Sequence, residues 1–147
     1  MSQQVIWPQQ NLARALANAA QRWSTHEALV ISGRRMTYPA LWQSVQQVGA
    51  ALKACGVRRG DHVAVCMGNS IEWVVFFYAA ATVGAVTVPV NTRFKSAEIA
   101  FCLKQADCKL LVYAERFLDI DFGAMVREAG FGNAVRLQEL PQGPYQS

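Results

Sequence analysis

The chain has 147 residues, of which 52% are hydrophobic and 16% are charged, and its net charge is +4. This apolar content excludes a disordered chain, and the length fits one domain with a core of its own. The basic residues are scattered and form no stripe with aromatic residues between them, so we expect no nucleic-acid partner.

The cysteines and histidines show no metal-ligand spacing, since no Cys-x-x-Cys occurs and neither histidine completes a ligand cluster. We predict four reduced cysteines in a cytoplasmic protein, and no metal site. The first residues lack the basic start and the apolar stretch of a secretory signal. The residues concerned are Cys55, Cys66, Cys102, Cys108, His26 and His62.

The first part of the chain predicts a helix, a hairpin and a second helix. Apolar residues recur at helical spacing in both helices, and β-rich segments flank Gly33. Thr37 is the expected N-cap of the second helix, and Gly56 suits the left-handed position after it. The predicted limits are helix Asn11–Trp23, strand Ala28–Ser32, turn Gly33-Arg34, strand Arg35–Tyr38 and helix Pro39–Cys55.

From residue 62 onward, short apolar strands alternate with helices. Strands without polar alternation are typical of a parallel sheet that is covered on both faces. We therefore predict an α/β fold, with a mostly parallel sheet, helices on both faces, and a small N-terminal helix and hairpin. The predicted limits are strand His62–Met67, a helix capped by Asn69 or Ser70 that runs to about Thr82, strand Ala85–Val90, a helix from Ala97 to Gln105 capped by Ser96, strand Cys108–Tyr113, helix Phe117–Ala129 and strand Ala134–Leu137.

The segment Trp73–Val90 contains no charged residue over a length close to that of a membrane span. Gly84 and Pro89 divide it into an alanine-rich half and a Val/Thr half, and a capping signal stands at its start. A helix followed by a buried strand accounts for both halves. The sequence therefore predicts no transmembrane segment.

Motifs that carry catalysis or bind phosphate are missing from the sequence. It contains no G-x-S-x-G, no H-E-x-x-H, no G-x-G-x-x-G and no G-x-x-x-x-G-K-[ST]. We therefore assign no catalytic residue to this chain, although its α/β layout is one that many enzymes share.

Six short motifs, in order and over about residues 10–140, resemble the N-terminal part of the adenylate-forming acyl-CoA synthetases. No single motif decides the resemblance, but their order and spacing together identify it. The motifs are Thr37-Tyr38-x-x-Leu41, Gly56-Val57-x-x-Gly60-Asp61-x-Val63-Ala64, Asn69-Ser70-x-Glu72, Gly84-Ala85-Val86 with Pro89-Val90-Asn91-Thr92-Arg93-Phe94, Ala97-Glu98-Ile99 and Lys109-Leu110-Leu111-Val112.

The resemblance implies a parent enzyme that joins a carboxylic acid to coenzyme A, using ATP and Mg²⁺ through an acyl-adenylate. Fatty acids are favoured over aryl acids as its substrates. In that family the phosphate loop, the magnesium-binding Glu and the catalytic Lys lie beyond this region. We therefore expect residues 1–137 to be an N-terminal subdomain, 138–147 a tail or linker, and the rest of the ligase chain the partner.

Such a piece, whether excised, proteolytic or from a truncated reading frame, is expected to be inactive alone and to hold no cofactor tightly. It would leave apolar surface uncovered, so we also expect it to self-associate. The alternative is a free-standing, non-catalytic α/β binding module derived from the same family.

Arg93 and Lys95 are the candidate cofactor-binding residues. They follow a strand at the edge where parallel sheets bind ligands. The resemblance implies that Arg93 contacts a phosphate of the coenzyme A nucleotide, assisted by Lys95. The alternatives are a structural Arg93 paired with Asp107, Glu98 or backbone carbonyls, and a solvated Lys95. Asn91 is expected to fix the turn between the strand and Arg93.

Overall fold

The computed structural model describes residues 11–140, so residues 1–10 and residues 141–147 of the predicted tail 138–147 lie outside it. The described helices are α1 (Leu12–Arg22), α2 (Tyr38–Ala54), α3 (Ile71–Val83), α4 (Ser96–Gln105) and α5 (Phe122–Ala129). The strands are β1 (Glu27–Ile31), β2 (Arg34–Thr37), β3 (His62–Cys66), β4 (Val86–Pro89), β5 (Cys108–Tyr113), β6 (Arg116–Phe117), β7 (Ile120–Asp121) and β8 (Ala134–Arg136), and a 3₁₀ turn follows at Leu137–Glu139.

The central sheet has four strands in the order β4-β3-β5-β8, and every neighbouring pair is parallel. The chain moves from β3 to β4 on one side, then crosses to β5 on the other side of β3. This is a doubly wound arrangement, and its reversal of direction lies between β3 and β5. The α/β class and the parallel sheet that the sequence predicts are therefore confirmed.

Two apolar layers cover the sheet, one on each face. On the first face, Val63 and Val65 of β3 pack in a cluster that includes residues of α1, α2 and α3, with Phe76 1% exposed. On the second face, Ala64 and Cys66 pack in a cluster with residues of α4 and α5. Successive strand residues face opposite layers, so a strand that is apolar throughout is buried on both sides.

The predicted membrane-length segment divides into α3 and β4. Ser70 accepts a hydrogen bond from the backbone N–H of Trp73 at 3.1 Å, which starts the helix. Gly84 ends it with φ of 79°, a conformation that glycine adopts without strain. Among the described residues, no helix combines the length and the apolar content needed to span a bilayer.

The choice between Asn69 and Ser70 as the cap of α3 is resolved in favour of Ser70. Glu72 does not reach back to the amide of Asn69 as a capping box would require. Its carboxylate instead pairs with the guanidinium of Arg34 at 2.7 Å, which links α3 to the N-terminal hairpin.

The hairpin turn lies one residue earlier than the sequence predicts. Ser32 and Gly33 form it, with φ of 50° and 79°, while Arg34 already pairs with Ile31 in the strands. Two-residue turns with positive φ at both positions match the right-handed twist of the strands, and this preference overrides the Gly33-Arg34 alternative.

The predicted helix Phe117–Ala129 is wrong at its start, because the helix begins five residues later, at Phe122. Residues 116–121 form a small antiparallel hairpin, β6–β7, in which Phe117 pairs with Ile120. The helix begins only at Phe122, because the carboxylate of Asp121 accepts a hydrogen bond from the N–H of Ala124 at 2.8 Å and caps it there.

At the end of the described chain, Leu140 is 4% exposed and packs in the first apolar layer, against which Leu137 also lies. The 3₁₀ turn between them is held by the carboxylate of Glu139, which accepts a hydrogen bond from the N–H of Arg136 at 3.1 Å. Leu137 and Leu140 are therefore packed against the core, whereas Gln138 and Glu139 are exposed.

Candidate functional site

The carboxyl ends of β3, β4 and β5 meet at one edge of the sheet, as parallel pairing requires. Three loops gather there: residues 67–70 before α3, residues 90–95 before α4, and residues 114–115 before the β6–β7 hairpin. In doubly wound sheets this edge, near the point where the strand order reverses, is where ligands bind.

Asn91 shapes the loop that follows β4. Its side-chain carbonyl accepts a hydrogen bond from the backbone N–H of Arg93 at 2.9 Å, and its backbone carbonyl accepts one from the N–H of Phe94 at 3.0 Å. An Asn side chain that bonds two residues ahead imitates a backbone turn. The structure thus confirms that Asn91 fixes the turn.

Arg93 lies exposed on this loop. Among residues 11–140, no carboxylate lies within 4.0 Å of its guanidinium, so neither Glu98 nor Asp107 pairs with it. The Arg93 side chain is exposed to solvent, and the five N–H donors of its guanidinium are available to an anionic group.

Lys95 is also exposed and stands at the N-cap position of α4. Its backbone N–H donates to the carboxylate of Glu98 at 2.8 Å, which ties the first turn of the helix. The prediction that Ser96 is the cap is wrong, because the Ser96 hydroxyl donates instead to the carboxylate of Glu128 at 2.6 Å. Lys95 and Arg93 are thus two cations on one short loop.

The loop after β5 carries charges that the sequence did not single out. Glu115 stands two residues after Tyr113, at the carboxyl ends of the strands. The guanidinium of Arg127 lies 3.6 Å from the Glu115 carboxylate. Burial raises the pKa of the Tyr113 phenol, and the negative charge of Glu115 raises it further, while Arg136 opposes the change. No local motif marks these residues, because α5 and β8 bring them together only in the folded chain.

The β6–β7 hairpin packs against the loop that follows β3. The ring of Phe117 lies directly against Gly68, so closely that a Cβ at Gly68 would stand 1.9 Å from Phe117 Cε2. Phe117 also stacks on Phe122 with ring centroids 6.4 Å apart. The space between the β3 and β5 loops is therefore partly filled by an aromatic ring.

At the amino ends of the parallel strands, Asp61 stabilises the turn before β3. Its carboxylate accepts hydrogen bonds from the N–H of Arg58 at 2.7 Å and from the ammonium of Lys109 at 3.0 Å. These two donors, the backbone N–H first, hold the pKa of Asp61 below its ordinary value of 3.8. This arrangement fixes the turn before β3.

All four cysteines are free thiols. Burial raises the pKa of Cys66 to about 11, and burial with the nearby Cys102 and Asp107 raises the pKa of Cys108 to about 11. Within residues 11–140, no group of three or more His, Cys, Asp or Glu side chains is placed to hold a metal ion.

The sequence profile described as "AMP-binding enzyme" matches residues 16–140, which include every loop of this edge. The chain belongs to the AMP-binding enzyme family.

Other members of the AMP-binding family support the assignment. The long-chain-fatty-acid–CoA ligase FadD13 of Mycobacterium tuberculosis is 40% identical over 79 residues, which cover 54% of this chain and 16% of that protein. The mitochondrial medium-chain acyl-CoA ligase ACSF2 of Bos taurus is 33% identical over 138 residues, which cover 88% of this chain and 22% of that protein.

Solved structures from the AMP-binding family have the same fold. The fatty acyl CoA synthetase of Mycobacterium tuberculosis superposes with a TM-score of 0.78 at 26% identity, over 88% of this chain and 28% of that one. The N-terminal domain of FACL13 from the same organism gives 0.73 at 27% identity, over 90% and 37%. The chain spans between 16% and 24% of the length of the curated relatives that it matches.

Proposed function

We propose that this chain is the N-terminal region of an ATP-dependent acyl-CoA ligase. In the reaction we assign to the whole enzyme, a carboxylate oxygen attacks the α-phosphate of ATP and pyrophosphate leaves. The sulfur of coenzyme A then attacks the acyl carbon and AMP leaves. The observation that supports this most strongly is the family match along residues 16–140, together with relatives that are named as acyl-CoA ligases.

We propose a fatty acid as the carboxylic acid. The support is that the matched relatives named above are a long-chain and a medium-chain ligase. Mg²⁺ accompanies ATP in the whole enzyme, where it would offset charge on the phosphates. We assign the protein to the cytoplasm, in keeping with four free thiols.

Within this function, Arg93 and Lys95 are proposed to bind a phosphate of coenzyme A. Both are exposed on the loop at the ligand-binding edge, and Asn91 holds the backbone of Arg93 in place. The guanidinium of Arg93 has no carboxylate within 4.0 Å among residues 11–140, so it offers a bidentate fork to a phosphate, which an ammonium cannot reproduce.

The proposed role of Arg93 is tested on the full-length ligase. Arg93→Ala should raise the KM for coenzyme A about tenfold or more, and Arg93→Lys should recover part of the loss. Pyrophosphate release in the absence of coenzyme A should stay unchanged, since that half-reaction does not use the cation. Lys104→Ala, which removes an exposed cation at the far end of α4, is the matched control. An unchanged KM in Arg93→Ala would refute the assignment.

The whole assignment is tested by reading the frame beyond codon 147 and assaying its product for acyl-CoA formation. A continuing frame whose protein forms acyl-CoA from a fatty acid supports the ligase. A stop codon after Ser147, with a stably expressed 147-residue protein, favours the non-catalytic binding module instead. The chain by itself is proposed to hold neither ATP nor coenzyme A tightly, because its remaining contacts belong to the rest of the ligase.

A further inference from the structure

The tip of the β6–β7 hairpin combines a strained backbone with an exposed apolar side chain. Leu118 has φ of 53°, in the left-handed region that a bulky residue adopts only at a cost. It is also 80% exposed, so its side chain gains little packing in the described structure. Within residues 11–140, the other residues with positive φ are glycines, Ser32 and Asp107. Leu118 is thus the one bulky apolar residue in this conformation in the described part of the chain.

Local turn chemistry does not account for a leucine at this position. Phe117 pairs with Ile120, so Leu118 and Asp119 form a two-residue turn, and of these two only Leu118 has positive φ. Turns with positive φ at the first central residue favour glycine there. A single exposed leucine is ordinary on a protein surface, but a strained one points to a function for its side chain outside the turn.

The base of the hairpin is anchored, which holds Leu118 in a defined place. Phe117 contacts Gly68 in the loop after β3 and stacks on Phe122 with ring centroids 6.4 Å apart. Ile120, like Phe117, packs against the second apolar layer. The side chain of Leu118 is therefore presented to solvent by a packed hairpin.

Leu118 lies at the carboxyl edge of the sheet, where the described chain also ends. The hairpin begins at Arg116, three residues after the end of β5 at Tyr113. Tyr113 pairs with Arg136 at the end of the neighbouring strand β8, and Leu140 follows four residues later. Polypeptide that continues from residue 140 therefore starts near the edge that carries Leu118.

The proposed function brings the rest of the ligase to the same edge. The chain spans 16% of the length of FadD13 and 28% of the fatty acyl CoA synthetase of known structure. The proposed function assigns coenzyme A to Arg93 and Lys95 at this edge, and the activation of ATP to the rest of the ligase. Because both steps act on one acyl group, the two parts must meet here.

We propose that Leu118 is a docking residue whose side chain enters an apolar pocket on the part of the ligase that follows residue 147. This inference rests on the proposed function, because it requires the rest of the ligase. Burial of the leucine offsets the strain of its backbone, which is uncompensated in the 147-residue chain. The exposed residues Arg116 and Asp119 flank Leu118, so the apolar contact is confined to one side chain and the pocket should have the size of a leucine.

The strain is tested on the 147-residue chain by urea unfolding. Leu118→Gly should raise the urea midpoint, because glycine adopts positive φ without strain and little packing is lost. Val30→Gly is the matched control, since Val30 is 53% exposed in β1 and does not have positive φ, and it should lower the midpoint. A midpoint that falls in both variants would overturn the proposal, because the leucine would then be favoured by the isolated chain itself.

The docking is tested by thiol labelling of Leu118→Cys, with Cys55 in the same chain as the internal reference. Cys55 is exposed at the end of α2, near the amino ends of the strands. In the 147-residue chain, the introduced thiol should react about as fast as Cys55. In the full-length ligase it should react at least about tenfold more slowly relative to Cys55, because the pocket covers it. Circular dichroism of each variant confirms that the fold is kept.

Acyl-CoA formation by the same full-length ligase reports on the proposed function separately. Slow labelling in a protein that forms no acyl-CoA would refute the ligase activity and retain the docking residue. Acyl-CoA formation by a ligase in which the introduced thiol stays as reactive as Cys55 would refute the docking alone.

Two further labelling results would overturn the proposal by assigning Leu118 to a different occupant. A labelling rate in the 147-residue chain that falls as the protein concentration rises would assign it to a contact between copies of the chain. Slow labelling of the full-length ligase that appears only after a fatty acid or coenzyme A is added would assign it to the substrate site.

Discussion

Gly68 and Phe117 make the most specific stability prediction. Alanine at position 68 would place its Cβ 1.9 Å from Phe117 Cε2 and 2.4 Å from two further ring atoms. Ordinary carbon contacts lie at about 3.5–4.0 Å, so the ring must move by about 2 Å. Gly68 does not have positive φ, so the backbone itself accepts alanine and the cost is steric. Overpacking of this kind costs about 1–3 kcal/mol, and we expect about 1–2 because a side chain can give way.

The assay is urea unfolding of the 147-residue chain followed by tryptophan fluorescence, with free energies from linear extrapolation. Gly68→Ala should lower the free energy of unfolding by about 1–2 kcal/mol in the wild type, and by less than about 0.5 kcal/mol when Phe117 is already alanine. Gly132→Ala is the matched control, since a Cβ there meets nothing within 4 Å, and it should stay within about 0.5 kcal/mol. Equal costs of Gly68→Ala in both backgrounds would show that Phe117 does not cover Gly68.

Three further predictions follow from individual contacts. Ser70→Ala should lower the free energy of unfolding by about 1 kcal/mol, because α3 loses its N-cap, and urea unfolding measures it. The pKa of Asp61 is lowered on folding, so its carboxylate stabilises the chain above about pH 4, and this contribution is lost as pH falls through the lowered pKa. The stability difference between wild type and Asp61→Asn should therefore shrink from about pH 5 to pH 2, and a constant difference would contradict this. With a thiol reagent at about pH 8, exposed Cys55 should react in the folded chain, while Cys66 and Cys108, with pKa values of about 11, should react only on unfolding, as mass spectrometry of the labelled peptides would establish.

The buried strands could be predicted closely because their residues are apolar on both sides. The strand Cys108–Tyr113 has the limits that the sequence predicts, and β3 ends one residue before the predicted Met67. The division of the membrane-length segment also follows from local chemistry, since Gly84 takes the left-handed conformation that ends α3. The sequence is sufficient to predict an element boundary where a residue type has one common structural role, as glycine has at the end of a helix.

The β6–β7 hairpin could not be predicted in this way. Leu118, Phe122, Met125 and Ala129 recur at helical spacings of four, three and four residues, and the turn between the two strands contains no glycine. Leu118 has φ of 53°, which is costly for a leucine and which local propensity would not select. Asp121 was the one available signal, because an aspartate before a helix is a common N-cap. Contact of Phe117 with Gly68, far away in the chain, accompanies this conformation.

Some residues of the candidate site could likewise be predicted from the sequence, and others could not. Arg93 could be placed at the carboxyl edge of the sheet because it lies in the loop just after a strand, and Asn91 could be assigned to the turn from its residue type. The grouping of Tyr113, Glu115 and Arg127 could not be predicted, because it depends on how α5 packs beside β5.

We propose that this chain is one part of an adenylating ligase and that the groups that activate ATP lie in the rest of that ligase. The most direct test of this proposal is pyrophosphate release by the purified 147-residue chain with ATP, Mg²⁺ and a panel of fatty and aryl acids, measured beside the full-length ligase. We predict no release above the protein-free rate from the chain, and release with a fatty acid from the ligase. Pyrophosphate release by the 147-residue chain with any of the acids would contradict the account.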